Sequence, residues 1–495
     1  MPFHKDRIPS YAIDQEDSTP LAKLFDVSTH GNDHDQPDAD SASKFLSIHN
    51  NDDALAWRIA LIEQAQNSID AQYYSWHHDI SGQWLISKLI EAADRGVRVR
   101  LLLDDIHTLG IDRRIATLNL HNNIEVRLFN PFKIRWPVQL FRVFELLWNL
   151  TRLNHRMHNK LLIADNVASI IGGRNIGDEF FGINKTFVFR DLDLLTSGNS
   201  VKKLSYSFDL FWNSTLSKTA RRLIAFRPKR LNYRYMKKRL DKNIVSSQKI
   251  IQRIEQLANK LIYDPQLASR LITSKSDVFF DLPNTDAADK QHMSNNLNQR
   301  ILQTKKQLTI ISAYFIPSTS LINSFQALIN KGTQIQVLTN SLASIDITPA
   351  FTGYERYRRQ LLDMGVELFE FRAEPKYHST YSASAINVDY LSLHAKSIIY
   401  DDESVYVGTL NLDPRSENLN TEIGLFIKNK DLAESVHHGF IDDLNKGKYW
   451  QVKYNEDGRL IWQFEDEVIS FQPARSLWQR IAKTIYSLLP IQQHL

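Results

Sequence analysis

"HNKLLIADNVASIIGGRN", residues 158–175, sets a histidine, a lysine two positions on and an aspartate five further along an apolar run, then closes on two glycines, an arginine and an asparagine. "HAKSIIYDDESVYVGTLN", residues 394–411, repeats the arrangement 236 positions later. His158, Lys160 and Asp165 correspond to His394, Lys396 and Asp401, and Asn175 corresponds to Asn411. In each copy "KLLIAD" or "KSIIYD" has the alternation of a strand, so the histidine and the lysine two residues on project from one face. "ASIIGGRN" and "VYVGTLN" read as a second strand broken by glycine. Asp165 and Asp401 then fall at the turn between strands, where their expected role is to pin the hairpin or a neighbouring lysine.

The repetition extends outward. "WRIALIEQAQNSIDAQYYSW" (57–76) and "NQRILQTKKQLTIISAYFIP" (298–317) each pass from helical spacing into a strand that ends in aromatics. "ISKLIEAADRGVRVRLLLDD" (86–105) and "INSFQALINKGTQIQVLTNS" (322–341) read as helix, glycine stop, strand; Gly96 and Gly332 suit helix C-caps. "NIEVRLFNP" (123–131) and "GVELFEFR" (365–372) add one more strand to each copy. Strands separated by helices, in the same order twice, predict an α/β protein with a parallel or mixed sheet in each of two similar halves. The expected boundaries are a polar arm over 1–44, a first half over 45–216, a Lys/Arg-rich linker over 217–276, a second half over 277–440 and a C-terminal extension over 441–495.

The bulk numbers constrain the chemistry. The 495 residues hold no cysteine, which excludes disulfides, thiolate metal sites and a cysteine nucleophile. The net charge is only +4, so basic character that matters must be local. No run reaches the eighteen or more apolar residues of a membrane-spanning helix, and "MPFHKDRIPSYAIDQEDSTP" lacks the apolar core of a secretion signal. Histidine suits nucleophilic or acid–base work near neutral pH, while lysine and asparagine beside it supply charge and donors to a phosphoryl group's oxygens. The spacing of Asp, Glu and His suggests no metal cluster, and no cofactor is expected.

The duplicated H-x-K-x4-D, with "GGRN" and "GTLNLDPRS", resembles the phospholipase D superfamily. "RMHNKLLIADN", "GGRNIGDEFF", "LTNSLASID" and "LNLDPRSENLNTEIG" are similar to the bacterial cardiolipin synthases, and within them to the C-type branch. The resemblance implies two pseudo-symmetric phospholipase D-like α/β sandwich halves with the active site at their interface. It implies a catalytic set of His158, Lys160, Asp165, His394, Lys396 and Asp401, with Asn175 and Asn411 binding phosphate. One histidine would form a phosphohistidine while the other protonates the leaving alcohol and deprotonates the incoming one, with no metal required. Family members also hold each histidine with a carboxylate some thirty residues downstream, which points to Asp191 and Glu422; Asp193 faces the same side as Asp191 and competes with it. Thr409 keeps a hydroxyl where serine is commoner, and Gly173 loses it but leaves a backbone N–H free.

The same resemblance implies phospholipid substrates: phosphatidylglycerol as acceptor, and phosphatidylethanolamine or a second phosphatidylglycerol as donor. Glu179, Asp178 and Tyr314 are candidates to meet an amine headgroup. "KIRWPVQLFRVFELLWNLTRLNHR" (133–156) could line a lipid path, lie at a bilayer interface or be a buried core helix. The basic stretch 218–242 could meet anionic headgroups, form a solvated helix face or touch nucleic acid. "SLWQRIAKTIYSLLP" (476–490) gathers Leu477, Trp478, Ile481, Ile485, Leu488 and Leu489 on one helical face, either at a membrane or against the core. The expectation is a peripheral enzyme on the cytoplasmic face of the bacterial cell membrane, with no nucleic-acid partner. A hydrolase and, further off, a phosphodiesterase nuclease are its rivals.

Overall fold

The computed structural model describes residues 8–26, 42–108, 110–135, 145, 148–224, 226–245, 247–283, 292–374 and 388–488. Residues 1–7 and 27–41 of the expected polar arm, and 136–144 and 146–147 of the 133–156 segment, lie outside these residues. The rest of the arm is not loose, since Pro20–Phe25 is a helix that buries Leu21, Ala22 and Phe25 in the core of the first half. Both histidine hairpins sit centrally in large mixed sheets. At the first turn Asp165 and Asn166 have φ of 54° and 56°; at the second, Asp401 and Asp402 have 58° and 56°. Two successive left-handed residues make a tight hairpin turn, and Asp and Asn tolerate that backbone best after glycine. Gly96 and Gly332, at φ 102° and 85°, end their helices as the C-cap reading requires.

The first sheet runs Ser217–Thr219, Ile124–Phe129, Arg98–Asp104, Ser68–Tyr73, Lys160–Ala164, Ala168–Gly172, Asp193–Gly198, Ser43–Ile48 and Ile272–Ser274. Ile124–Phe129, Arg98–Asp104 and Ser68–Tyr73 are mutually parallel, and the remaining pairings are antiparallel. The second sheet has the same arrangement around Lys396–Tyr400 and Ser404–Gly408, with Gln307–Ser312, Gln334–Asn340 and Glu367–Phe371 as its parallel set. One face of the first sheet packs under α1 (Asn51–Gln64), α2 (Ile80–Asp94) and α3 (Asp112–Leu118). The opposite faces of both sheets contribute to one shared core, where Leu161, Ile163 and Leu194 meet Ile399, Val407 and Leu425. Lys160–Ala164 and Lys396–Tyr400 are consequently buried along their whole length, with no solvent face and no true alternation.

Two of the expected boundaries move. The segment 217–276 is no linker: Ser217–Thr219 forms one edge of the first sheet and Ile272–Ser274 the other. Between them α4 (Arg230–Val245) packs on α2 and α3, and α5 (Gln248–Ile262) packs on α1. The reason lies in α5, whose Ile251, Ile254, Ala258, Leu261 and Ile262 form an apolar stripe that must be covered. Ser276–Phe280 already belongs to the second sheet through Ile423–Ile427. The C-terminal piece likewise extends that sheet, because Tyr449–Tyr454 pairs with Glu367–Phe371. Among the described residues no helix is long and apolar enough to cross a membrane.

Two short parallel ladders tie the halves together. Arg156–Met157 pairs with Asn420–Thr421, and Phe187–Arg190 pairs with Tyr390–Leu393. These ladders place the site.

Candidate active site

Each ladder ends at a histidine on one strand and a carboxylate on the other. His158 N–H donates to Thr421 O at 2.9 Å, and the next residue is Glu422; His394 N–H donates to Arg190 O at 2.7 Å, and the next residue is Asp191. The pairing is therefore crossed. His158 Nδ1 lies 2.9 Å from both Glu422 carboxylate oxygens, and His394 Nδ1 lies 2.7 Å from Asp191 Oδ2. The downstream spacing suggests a carboxylate from the same half, but in the fold each comes from the opposite half. Asp193 is spoken for elsewhere, by Arg58 at 3.0 Å and Arg174 at 3.2 Å.

With Nδ1 donating to a carboxylate, each imidazole keeps Nε2 for chemistry. His158, His394, Asn175 and Asn411 line one cavity enclosing about 1270 Å³, part of it open to solvent. Lys160 Nζ donates to His158 O at 2.7 Å, and Lys396 Nζ donates to His394 O. Both lysines are buried, and burial lowers them to about 7 and about 8 respectively, against the pull of Glu422 and Asp191. Burial, then Lys160 and Lys396, holds His158 well below its ordinary value; burial and Lys396 lower His394 to about 3. Both imidazoles are therefore neutral near pH 7, ready to act as a nucleophile or a base.

The two carboxylates differ. Burial pushes Glu422 up to about 7 against Lys160, Thr409 and Lys396. Burial also resists the ionisation of Asp191, but His394, Lys396 and Arg174 outweigh it and hold the carboxyl below the usual range. The neighbouring residues account for the spacing. Thr409 Oγ1 donates to Glu422 Oε2 at 2.5 Å, whereas a Cβ at the equivalent Gly173 would collide with the Asp191 carboxylate. Gly173 thus makes room for the shorter acid. Its N–H is not free, as the sequence suggests, but donates to Leu192 O at 3.1 Å.

Asp165 and Asp401 stand apart from the cavity lining. Asp165 accepts the backbone N–H groups of Gln66, Asn67 and Ser68, and Asp401 those of Lys305, Lys306 and Gln307. Each aspartate pins the start of the adjacent strand. Of the headgroup candidates, Glu179 and Tyr314 line the cavity. Glu179 pairs with His77 at 2.9 Å, and the Tyr314 hydroxyl donates to Asp346 at 2.8 Å. Asp178 instead accepts from the backbone of Ile80 and Ser81. The fold also brings together His77, Asp79 and Glu179, whose ligand atoms lie within 4.8 Å of one another and could hold a metal ion. Their positions in the chain hide that grouping. Asp79 already accepts from the Gly82 and Asp178 N–H groups.

Several contributors escape sequence reading. Tyr74 lies edge-on to His158 with ring centroids 4.9 Å apart, and Phe189 flanks His394 at 4.7 Å. Asp104 accepts from Met157 N–H and Asn340 accepts from Leu393 N–H, both at 2.9 Å, fixing the residue before each histidine. They end equivalent strands in "LLLDD" and "VLTNS", a signal that the repeat itself carries. Asp281 accepts from Glu422 N–H at 3.0 Å and is pushed up to about 8 by burial. No local pattern marks it.

The family described as cardiolipin synthase, PLD-like domain, matches residues 59–210 and 297–444. The chain is 35% identical over 451 residues to cardiolipin synthase C of Escherichia coli (strain K12), an alignment spanning 89% of this chain and 93% of that protein. It is 27% identical over 446 residues to a cardiolipin synthase of Listeria welshimeri, spanning 90% and 74%. Phosphatidylserine synthase from Haemophilus influenzae Rd KW20 superposes with a TM-score of 0.58 over 91% of this chain and 95% of that one, at 15% identity, a likeness of fold.

Proposed function

Since this chain belongs to the cardiolipin synthase family of PLD-like domains, we propose that it makes cardiolipin, moving a phosphatidyl group from phosphatidylethanolamine to phosphatidylglycerol through a phosphohistidine. The chain is a phosphatidyltransferase of the phospholipase D superfamily. The observation that carries the proposal is the pair of crossed histidine–carboxylate contacts facing one cavity.

One imidazole Nε2 attacks the donor phosphorus, and the bond from phosphorus to the headgroup oxygen breaks. The other histidine, neutral in the empty site, takes up a proton when the negatively charged phosphodiester binds beside it, gives that proton to the leaving oxygen and releases ethanolamine. The same histidine then removes the proton from the terminal hydroxyl of phosphatidylglycerol. The resulting oxygen attacks phosphorus, the P–N bond breaks, and the first imidazole is restored. Lys160, Lys396, Asn175 and Asn411 stabilise the charge that develops on the phosphoryl oxygens. Phosphatidylethanolamine is supported as donor by the carboxylates of Glu179 and Asp346 on the cavity wall, which suit an ammonium headgroup. The enzyme would work as a peripheral protein on the cytoplasmic face of the membrane.

Mixed vesicles of headgroup- and glycerol-labelled phosphatidylethanolamine with phosphatidylglycerol test this. The expected products are labelled cardiolipin and free ethanolamine, with little phosphatidic acid. Mainly phosphatidic acid would make the enzyme a phospholipase, and cardiolipin without ethanolamine release would make phosphatidylglycerol the donor. Turnover should survive EDTA, because the bound phosphodiester's negative charge favours the protonated forms of Lys160 and Lys396, which then supply the charge. Loss in EDTA restored by a divalent ion would instead bring His77, Asp79 and Glu179 into the chemistry.

A further inference from the structure

A second cavity lies between α2, α3 and α4, enclosing about 710 Å³ of space that opens to solvent. Its wall is mostly apolar: Ile86, Leu103, Ile115, Leu118, Met236 and Leu240. Arg114 and Arg239 also line it, from α3 and α4. Neither is ion-paired with an acid among the described residues, whereas Lys237, two residues before Arg239, reaches Asp94 at 2.6 Å. Burial and then the Arg239 charge make Arg114 harder to protonate. His77 belongs to the walls of both this cavity and the catalytic one.

A ligand for such a place must combine hydrocarbon with negative charge. A free inorganic anion would pair the arginines but leave the apolar wall wet, and a neutral hydrocarbon would do the reverse. We infer that the cavity beneath α4 takes an acyl chain of an anionic phospholipid, whose phosphodiester sits between Arg114 and Arg239. The lipid's identity rests on the phosphatidyl-transfer reading: the anionic partner in that reaction is the acceptor, phosphatidylglycerol. The shared His77 wall would hold it beside the histidines while the zwitterionic donor occupies the catalytic cavity. The two sites then differ in charge preference, which a single common cleft could not provide.

Photo-crosslinking reads the site directly. The full chain carrying His158→Ala is mixed in detergent micelles with phosphatidylglycerol bearing a diazirine in one acyl chain, and labelled peptides are mapped. Label is expected in the peptides containing Ile86, Ile115, Leu118 and Met236. Arg114→Gln with Arg239→Gln should reduce that label roughly tenfold, the scale of losing charge-assisted bonds to a phosphate. These substitutions also remove a repulsion, so the melting temperature should hold or rise. Met236→Trp should block the same label by filling the cavity. Labelling confined to the catalytic cavity, equal labelling by phosphatidylcholine with the same chain, or full displacement by millimolar inorganic phosphate would each overturn the inference. Because labelling reads occupancy and needs no turnover, an enzyme that hydrolyses in place of transferring would still label here. Failure of this site would equally leave the transfer assay unaffected.

Discussion

Glu422 and Asp191 hold equivalent places yet ionise differently, and burial makes the ionised Glu422 carboxyl a cost to the fold. Its carboxyl has a folded-state pKa of about 7 against an ordinary 4.5, so the folded protein resists the ionised form. The sign follows directly: the stability tied to the neutral acid is fully present below about 4.5 and lost as pH rises through about 7. Glu422→Gln should therefore raise the melting temperature at pH 8, with a ceiling of roughly 3 kcal/mol for such a shift. At pH 4 it should change little. The same variant should lose roughly 10–100-fold in turnover, since the His158 ring loses its orienting charge. A variant no more stable at pH 8 than wild type would show that Glu422 is already compensated. His158→Ala and His394→Ala should each cost more, beyond the roughly 10²–10⁴-fold of an acid–base group for whichever is the nucleophile. Near-normal activity in either would remove the two-histidine mechanism.

Among the elements, α6 (Leu477–Ser487) tests membrane contact. Its apolar face points to solvent: Leu477 is 72% exposed, Trp478 78% and Ile485 56%. Its other side is tied down by Gln479 Nε2 donating to Leu342 O at 2.5 Å and by Lys483 on Glu355 at 2.9 Å. Of the two sequence alternatives, bilayer or core, the described residues leave this face unpacked. Trp478→Ser with Ile485→Ser should reduce binding to anionic vesicles roughly tenfold, with unchanged melting temperature and unchanged hydrolysis of a soluble phosphodiester. A lower melting temperature with vesicle binding intact would place the face inside the protein. The basic stretch was harder to read from sequence. Its Lys and Arg dominate the composition, while the contacts that make α4 part of the first half depend on Met236 and Leu240 meeting residues more than a hundred positions away. Hairpins, glycine caps and parallel strands were legible because each follows from local backbone preference; the edge strands Ile272–Ser274 and Ser276–Phe280 were not, since three to five residues carry too little periodicity.

Across the whole molecule, the repeat made the two halves and both histidines legible, but sequence order misled on which carboxylate serves which ring. Spacing along a chain reports on partners within a half; it carries nothing about a ladder that forms only when the halves meet. The Arg156–Met157 and Phe187–Arg190 strands each pair with the opposite half, so each histidine is completed by the other. The physical consequence is that damage should cross over. Asp191→Asn removes the charge beside His394, 2.7 Å away, and leaves the Glu422 contact of His158 at 2.9 Å intact. In ¹⁵N-histidine spectra of the full chain, assigned with the His158→Ala and His394→Ala variants, Asp191→Asn should move the ring resonances of His394 and hardly touch His158. Glu422→Gln should do the opposite. If Asp191→Asn moved His158 alone, each carboxylate would serve the histidine of its own half and the crossed interface would be wrong. With the crossed result, the active site is a property of the assembled pair: neither phospholipase D-like half contains a histidine with its orienting acid, so the site forms only as the two sheets dock.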